Sequence, residues 1–311
     1  MGKIAFVFPG QGAQAVGMGK DAFDAVQASK AVFDQADEAL GFAISKLSFE
    51  GPEEELRQTA NTQPALLATS IALLEAYKSQ GVQPDFVAGH SLGEYSALVA
   101  AGAIAFDDAI RLVRSRGLFM EQAVPGGAGA MAAVLGAERE ALDNLCRDIS
   151  ATGAQVELAN VNSPGQIVVS GSAAGVAAVG ERGKEAGAKR VISLEVSGPF
   201  HSSLMQPAAD RLSEELAKVT FNDAKIPVVA NVNAIAVTSG AEIRELLVKQ
   251  VVSPVLWEDT IRYLIGEGVD TFVEIGSGTV LAGLIKKIDK SVRIVSVNTA
   301  AAALASESVS S

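Results

Sequence analysis

Short apolar runs alternate with amphipathic stretches of helical length along most of this chain, a pattern that predicts strands interleaved with helices. Lys3–Phe8 reads as the first strand, and Ala31–Leu40 carries a helical pattern. Residues 52–60 and 63–79 read as two more helices. The first opens with Pro52 and three glutamates; the second starts at Thr62-Gln63-Pro64, with the proline in its first turn. Asp85–Ala88 is a strand behind the turn signal Gln83-Pro84, Glu94–Ala103 is a helix, and Asp107 caps a helix running to Ala123. Late in the chain, Pro227–Asn231, Thr271–Ile275 and Arg293–Val297 read as strands, with helices at Glu242–Lys249, 257–266 and Leu281–Ile288. The small, polar tail Ala300–Ser311 is expected to fray.

The middle of the chain follows a different rhythm. After the glycine-rich Val124–Gly129, Ala130–Leu135 predicts a strand and Glu138–Ile149 a helix. Gln155–Val161 and Gln166–Ser170 form a hairpin across Asn162-Ser163-Pro164-Gly165, followed by helix Ala173–Ala186 and strand Lys189–Val196. That order, βαββαβ, is the ferredoxin-like unit. The expected fold class is therefore α/β. A large α/β-hydrolase-like domain with a mostly parallel sheet (residues 1–125 and 197–311) carries a small inserted ferredoxin-like domain (126–196). No internal repeat is visible.

At 311 residues, 49% of them hydrophobic, the chain is long enough for a large core and a smaller second one. Its net charge of −11 argues against nucleic acid as the main partner. The single cysteine, Cys146, lies among Leu142, Leu145 and Ile149 at helical spacing, so it reads as a buried structural thiol. No disulfide within the chain and no thiolate metal cluster can form, and no metal site is expected. The chain opens directly on a strand, and no apolar run approaches membrane-spanning length. The expectation is a soluble cytoplasmic protein without a membrane partner.

Chemistry concentrates at Gly89-His90-Ser91-Leu92-Gly93. Strand, G-x-S-x-G and helix in that order form the context of a nucleophile elbow. The glycines permit a sharp turn that holds the serine hydroxyl out at a helix start, where the free amide of Leu92 favours a developing oxyanion. The chain has only two histidines, His90 and His201. His90 adjoins the serine on the turn and should point elsewhere, which leaves His201 as the base. Ser202 or Ser203 can cap the helix after it, so His201 is expected at a helix N-terminus, where the dipole keeps imidazole neutral. No Asp or Glu is convincingly placed as a third member, so the reading is a Ser–His dyad with Nδ1 held by a backbone carbonyl or a side-chain amide. Arg111 and Arg114 fall on the polar side of the helix before Ala123, but Arg116 projects among Leu112, Val113, Phe119 and Met120. A guanidinium on an apolar face must meet an anion: either a structural carboxylate or a substrate's. The loop Gly10-x-Gly12-x-x-Ala15 fits a loose dinucleotide fingerprint, but the acidic residue expected about 20 positions on is missing. A carbonyl or oxyanion clamp is the other reading of that loop.

These residues resemble the malonyl-CoA:acyl carrier protein transacylases and the related acyltransferase domains of fatty acid and polyketide synthases. The resemblance covers essentially the whole chain: Phe8-Pro9-Gly10-Gln11-Gly12, Thr62-Gln63-Pro64-Ala65-Leu66, the elbow through Glu94-Tyr95, Arg116-Gly117 with Met120, Asn162 to Gln166, Phe200-His201-Ser202, and Gln250 with Pro254-Val255 and Trp257. It implies Ser91 as nucleophile and His201 as base, with the amides of Gln11 and Leu92 as oxyanion hole. It implies Arg116 on the malonyl carboxylate, Gln250 orienting His201, Gln63 and Asn162 in the pocket, and Phe200 as the malonyl-selective side chain. Ala13 and Ser277 depart mildly from the family pattern. The implied reaction is ping-pong: no cofactor is bound, and malonyl-CoA and the phosphopantetheinyl acyl carrier protein are the substrates. A monomer is expected. Because carrier proteins are acidic, as this chain is, docking needs a local basic patch, and Lys189-Arg190 with Lys286-Lys287 are the candidates. A serine esterase and a nucleotide-binding module built on the first glycine loop are the rival readings.

Overall fold

The computed structural model describes residues 2–305. Its larger sheet contains β1 (Lys3–Phe8), β2 (Phe86–Gly89), β7 (Val228–Val229), β8 (Ala236–Val237), β9 (Val269–Ile275) and β10 (Arg293–Val297). The spatial order is β10-β9-β1-β2-β7-β8, parallel throughout except for the β7–β8 pair. Ala5, Val7, Phe8, Val87 and Ala88 are fully buried, as strands covered by helices on both faces require. The register pairs Phe8 with Gly89 and Val7 with both Ala88 and Glu274. The carboxyl ends of β1, β2 and β9 therefore lie side by side. The loops that leave them (residues 9–12, 90–92 and 276–278) share one edge, where ligands of open parallel sheets bind.

The smaller sheet, all antiparallel, has the order β4-β5-β3-β6, with β3 at Gly129–Leu135, β4 at Val156–Ser163, β5 at Gln166–Ser172 and β6 at Arg190–Ser193. Helices Arg139–Ala151 and Ala173–Arg182 complete the βαββαβ unit, which has its own core around Leu142, Leu145, Cys146, Ile149, Val169 and Val179. Cys146 is buried as expected, and burial pushes its thiol up to about 12. The edge strand β4 is stitched to the larger body: Val161 N donates to Val255 O at 2.9 Å, and Val255 N to Ala159 O at 2.8 Å. No helix among the described residues is long and apolar enough to cross a membrane.

Several boundaries differ from the sequence expectation. The helices placed at 52–60 and 63–79 are Glu53–Arg57 and Thr59–Tyr77, so Thr62-Gln63-Pro64 lies inside a helix and does not start it. That helix begins early because Gln58 O accepts from both Asn61 N and Thr62 N at 2.8 Å. Almost every residue of it is buried, which gives it little amphipathic pattern to mark its start. Asp107 is not a cap. Helix Phe106–Gln122 has Ala105 at that position, and Asp107 in the first turn accepts from Gln35 Nε2 at 2.6 Å. The tail is helical at Ala300–Leu304, because Thr299 caps it and Asp21 holds Ala300 N; the remainder of the expected frayed tail, 306–311, lies outside the described residues. Helices Lys20–Ala25 and Ile44–Glu50 and strand β8 are too short for periodicity to reveal.

Two glycines fix the approach of the elbow to β1. A Cβ on Gly89 would sit 1.9 Å from the carbonyl carbon of Gly93, and one on Gly93 would sit 2.1 Å from Phe8 O. Both obstacles are backbone. Gly93→Ala is therefore expected to cost more than about 3 kcal/mol. Gly180→Ala, on the exposed side of helix Ala173–Arg182 with nothing within 4 Å, should stabilise by about 0.5–1 kcal/mol. Urea unfolding of the two variants checks both signs.

Candidate active site

Ser91 sits on the turn between β2 and helix Gly93–Ala100 with φ 51°, a left-handed backbone that a non-glycine residue adopts only when its surroundings hold it there. Three contacts do so. His90 N donates to Phe8 O at 3.0 Å. Asn231, just past β7, grips the turn on both sides: its Oδ1 accepts from Ser91 N at 2.8 Å, and its Nδ2 donates to Gly89 O at 2.7 Å.

His201 also has a left-handed backbone, φ 55°, and is 3% exposed. Its Nδ1 lies 2.9 Å from Gln250 O. A carbonyl can only accept, so Nδ1 carries the proton and Nε2 presents its lone pair. Ser91 Oγ, 2.7 Å away, donates to it. The third member is thus a backbone carbonyl rather than a carboxylate. The expected helix N-terminus is absent, however. Ser202 Oγ donates to Pro199 O, Ser203 N donates to Glu157, and the α-helix starts only at Gln206 after a 3-10 turn. What keeps the imidazole neutral is burial first and the nearby Arg116 cation second; together they bring it down to about 3.

Arg116 is 1% exposed, and its guanidinium meets neutral groups: Gln63 Oε1 at 2.8 Å, Gln250 Oε1 at 2.9 Å and Ser91 Oγ at 3.2 Å. Its Nε finds no partner among the described residues. Burial lowers its pKa, but an arginine stays charged. The site is therefore a buried cation that touches a serine hydroxyl and has donor capacity left for an incoming carboxylate.

A cavity of about 110 Å³ brings together Gln11, Gln63, Ser91, Leu92, Arg116, Phe200 and His201. The backbone N–H groups of Gln11 and Leu92 have no acceptor among the described residues. Gln250 touches the cavity through Arg116. Asn162 does not line it: its Oδ1 lies 2.8 Å from His90 Nε2, and it faces an adjoining cavity of about 220 Å³ with Gln11, Gln166 and Leu284. Asn160 lines both cavities, and Met131 reaches the first from β3. Neither stood out in the sequence, and neither did Asn231; Glu94 figures there only as part of the elbow motif, with no role attached. Asn231 did carry one signal, its position at the carboxyl end of a predicted strand. Lys189 and Arg190 are exposed where the chain enters β6, and Lys286 and Lys287 in the last turn of helix Val280–Ile288; none of the four lines either cavity.

A serine on a strained elbow, a neutral histidine and a donor-rich cavity define an acyl-transfer centre, and the family comparison agrees. The model of the acyl transferase domain matches residues 5–308, and the chain belongs to that family. Within it, the chain is 56% identical over 298 residues to the malonyl CoA-acyl carrier protein transacylase of Bacillus subtilis (strain 168), covering 96% of this chain and 94% of that protein. The fold matches an acyl carrier protein S-malonyltransferase from Vibrio cholerae with TM-score 0.93 at 48% identity, over 95% of this chain and 97% of the other. It also matches a malonyl-transacylase solved in complex with its type II PKS acyl-carrier protein, with TM-score 0.94 at 44% identity, over 98% of both chains.

With its pKa near 3, His201 should take up no proton between pH 5 and 8. Its ring NMR signals, assigned by their loss in His201→Ala, should stay flat across that range. A titration near the ordinary 6.5 would contradict the buried, cation-facing geometry.

Proposed function

We propose that this chain transfers a malonyl group from malonyl-CoA to the pantetheine thiol of a holo acyl carrier protein, through an ester on Ser91. One observation carries the choice of acyl group: the buried guanidinium of Arg116, held by neutral oxygens beside the serine. A neutral acyl chain gives that cation nothing, whereas a carboxylate can grip it bidentately.

In this reading Ser91 Oγ attacks the thioester carbonyl while its proton passes to His201 Nε2. The tetrahedral oxyanion is received by the N–H groups of Gln11 and Leu92, each worth about 3 kcal/mol when lost. The imidazolium, steadied by Gln250 O, gives the proton to the departing CoA sulfur as the carbon–sulfur bond breaks. The second half reverses these steps: the carrier's thiol gives its proton to His201 and attacks the ester, and Ser91 recovers its proton. Phe200 beside the acyl cavity limits branching on the malonyl carbon. Gln63 holds Arg116, while Asn162 with Asn160 lines the approach for the pantetheine arm.

Residues 126–196 are taken as an inserted domain that supplies one wall of the site and part of the docking surface. Leu135 pairs with both Gln166 and Arg190, and Lys287 Nζ donates to Gln166 Oε1 at 2.8 Å. With strands about 4.8 Å apart, Gln166, which Lys287 grips, lies roughly 10 Å from Arg190 across β3 at one end of the small sheet. That spacing supports a single patch, Lys189, Arg190, Lys286 and Lys287, for an acidic carrier protein. The enzyme is read as cytoplasmic and monomeric, with every residue of the site drawn from one chain.

Intact-mass measurement after incubation with malonyl-CoA tests the reaction. A malonyl adduct should form, vanish on adding holo carrier protein, and be absent in Ser91→Ala. Rapid loss of the adduct to water would favour an esterase, and no adduct would favour a binding module. Arg116→Ala should lower malonyl transfer by about 100-fold while sparing acetyl transfer, the size expected for a lost charge-assisted contact. An unchanged malonyl-to-acetyl ratio would remove the arginine from its role. Charge reversal at Lys189-Arg190 and Lys286-Lys287 should weaken the carrier step, and its salt dependence, while self-acylation from malonyl-CoA continues.

A further inference from the structure

A buried guanidinium with neutral partners alone would cost several kcal/mol, so its charge must be balanced nearby. Among the described residues, one carboxylate belongs to that network. Glu94, on the first turn of the elbow helix, is 2% exposed. Its Oε2 accepts from Gln250 Nε2 at 2.8 Å and from Asn231 N at 3.0 Å. The other end of the same Gln250 amide, Oε1, accepts from Arg116. Carboxylate, amide and guanidinium thus lie in series, with the amide dipole aligned so that its NH2 faces the anion and its oxygen faces the cation. The two remaining acceptors around that NH2, Ser91 O at 3.0 Å and Asn231 Oδ1 at 3.2 Å, rule out the flipped amide.

We propose that Glu94 is a positioning residue that acts as the counter-ion of Arg116 through the Gln250 amide, and so sets how tightly the site holds a carboxylated acyl group. The inference rests on the malonyl reading of Arg116. A carboxylate in direct contact would occupy the guanidinium edge that the acyl group needs. Placed one amide away, the negative charge offsets the buried cation while leaving that edge open. It also weakens the pull on the bound acyl carboxylate, which must leave again with the carrier. The same Oε2 holds Asn231, whose side chain clamps the elbow, so Glu94 ties the cation and the serine into one rigid unit.

Burial brings the Glu94 carboxyl up to about 7, and hydrogen bonds and Arg116 oppose that rise only in part. The ionisable groups facing it are Arg116 and, on its own helix, Tyr95; the residues that approach from elsewhere, Asn231 and Gln250, do not titrate. His201 stays neutral across the working range. Protonating Glu94 as pH falls from 8 to 6 removes the offset and should tighten the hold on a carboxylated acyl group.

The test uses malonyl and acetyl thioesters of N-acetylcysteamine, which lack the titrating phosphates of CoA, on wild type and Glu94→Gln between pH 6 and 8.5. In wild type the malonyl KM should fall several-fold relative to the acetyl KM as pH drops. In Glu94→Gln, which keeps an acceptor oxygen but not the charge, the ratio should be low and flat with pH, and malonyl kcat should drop because the ester is held too firmly. Glu94→Asp, one methylene shorter, should restore part of the pH slope. A folded Glu94→Gln with the wild-type ratio and slope overturns the proposal. If that variant does not fold, a flat wild-type ratio overturns it alone. Absence of any malonyl ester on wild-type Ser91 would instead sink the malonyl reading, whatever Glu94 does.

Discussion

Everything at this site depends on how closely the elbow packs against the first strand. Gly93 lies so near Phe8 O, and Gly89 so near the Gly93 carbonyl, that no side chain fits at either position. That contact brings the start of helix Gly93–Ala100 down onto the end of β1. It thereby fixes Leu92 N beside the loop that carries Gln11 and lifts Ser91 into the cavity between them. The left-handed backbone of Ser91 costs of order 1–3 kcal/mol, offset by Asn231 gripping the turn at Gly89 O and Ser91 N. The elbow is thus held from beneath by strand pairing and from the side by an amide.

The electrostatics are built almost entirely from neutral oxygens. His201 is held by the carbonyl of Gln250, and Arg116 by the amide oxygens of Gln63 and Gln250. Gln250 serves both groups, with its backbone on the histidine and its side chain on the arginine, so His201 and Arg116 are anchored to one residue. The two glutamines are in turn oriented at their NH2 ends, Gln63 by the Met120 sulfur at 3.6 Å and Gln250 by Glu94. Each reactive group therefore rests on a second group with its own fixed orientation, the arrangement that pre-organisation demands.

Legibility in the sequence followed the physical origin of each feature. The elbow was readable because a strand, a sharp turn and a helix leave a local signature, and the glycines that permit it are adjacent in sequence. Arg116 was readable because helical periodicity placed a cation among apolar neighbours, and His201 because the chain offers only two histidines. The small βαββαβ unit was readable because its strands alternate cleanly. The start of helix Thr59–Tyr77 was not, since a segment buried all round carries no amphipathic period. The environment of His201 escapes a local reading for a related reason: Ser202 and Ser203 look like caps, but one bonds back to Pro199 and the other across to Glu157 in the small sheet. Asn231 and Glu94 meet across 137 residues, and no local pattern records such a partnership.

The carbonyl behind His201, in place of a carboxylate, fits the chemistry proposed for it. In an amide hydrolase the base must protonate a poor leaving group, and a carboxylate on Nδ1 stabilises the imidazolium while it waits. In the proposed transfer the acyl donor is a thioester and the acceptor a thiol, so the first half expels a thiolate that leaves without much help. A buried imidazole held by a carbonyl, and facing a cation, forms an imidazolium that is strongly acidic and short-lived. In the proposed cycle it would return its proton to the departing sulfur in the first half and to Ser91 Oγ in the second. On the malonyl reading the buried arginine completes this arrangement, because it would hold the ester's carboxylate in place until a thiol arrives.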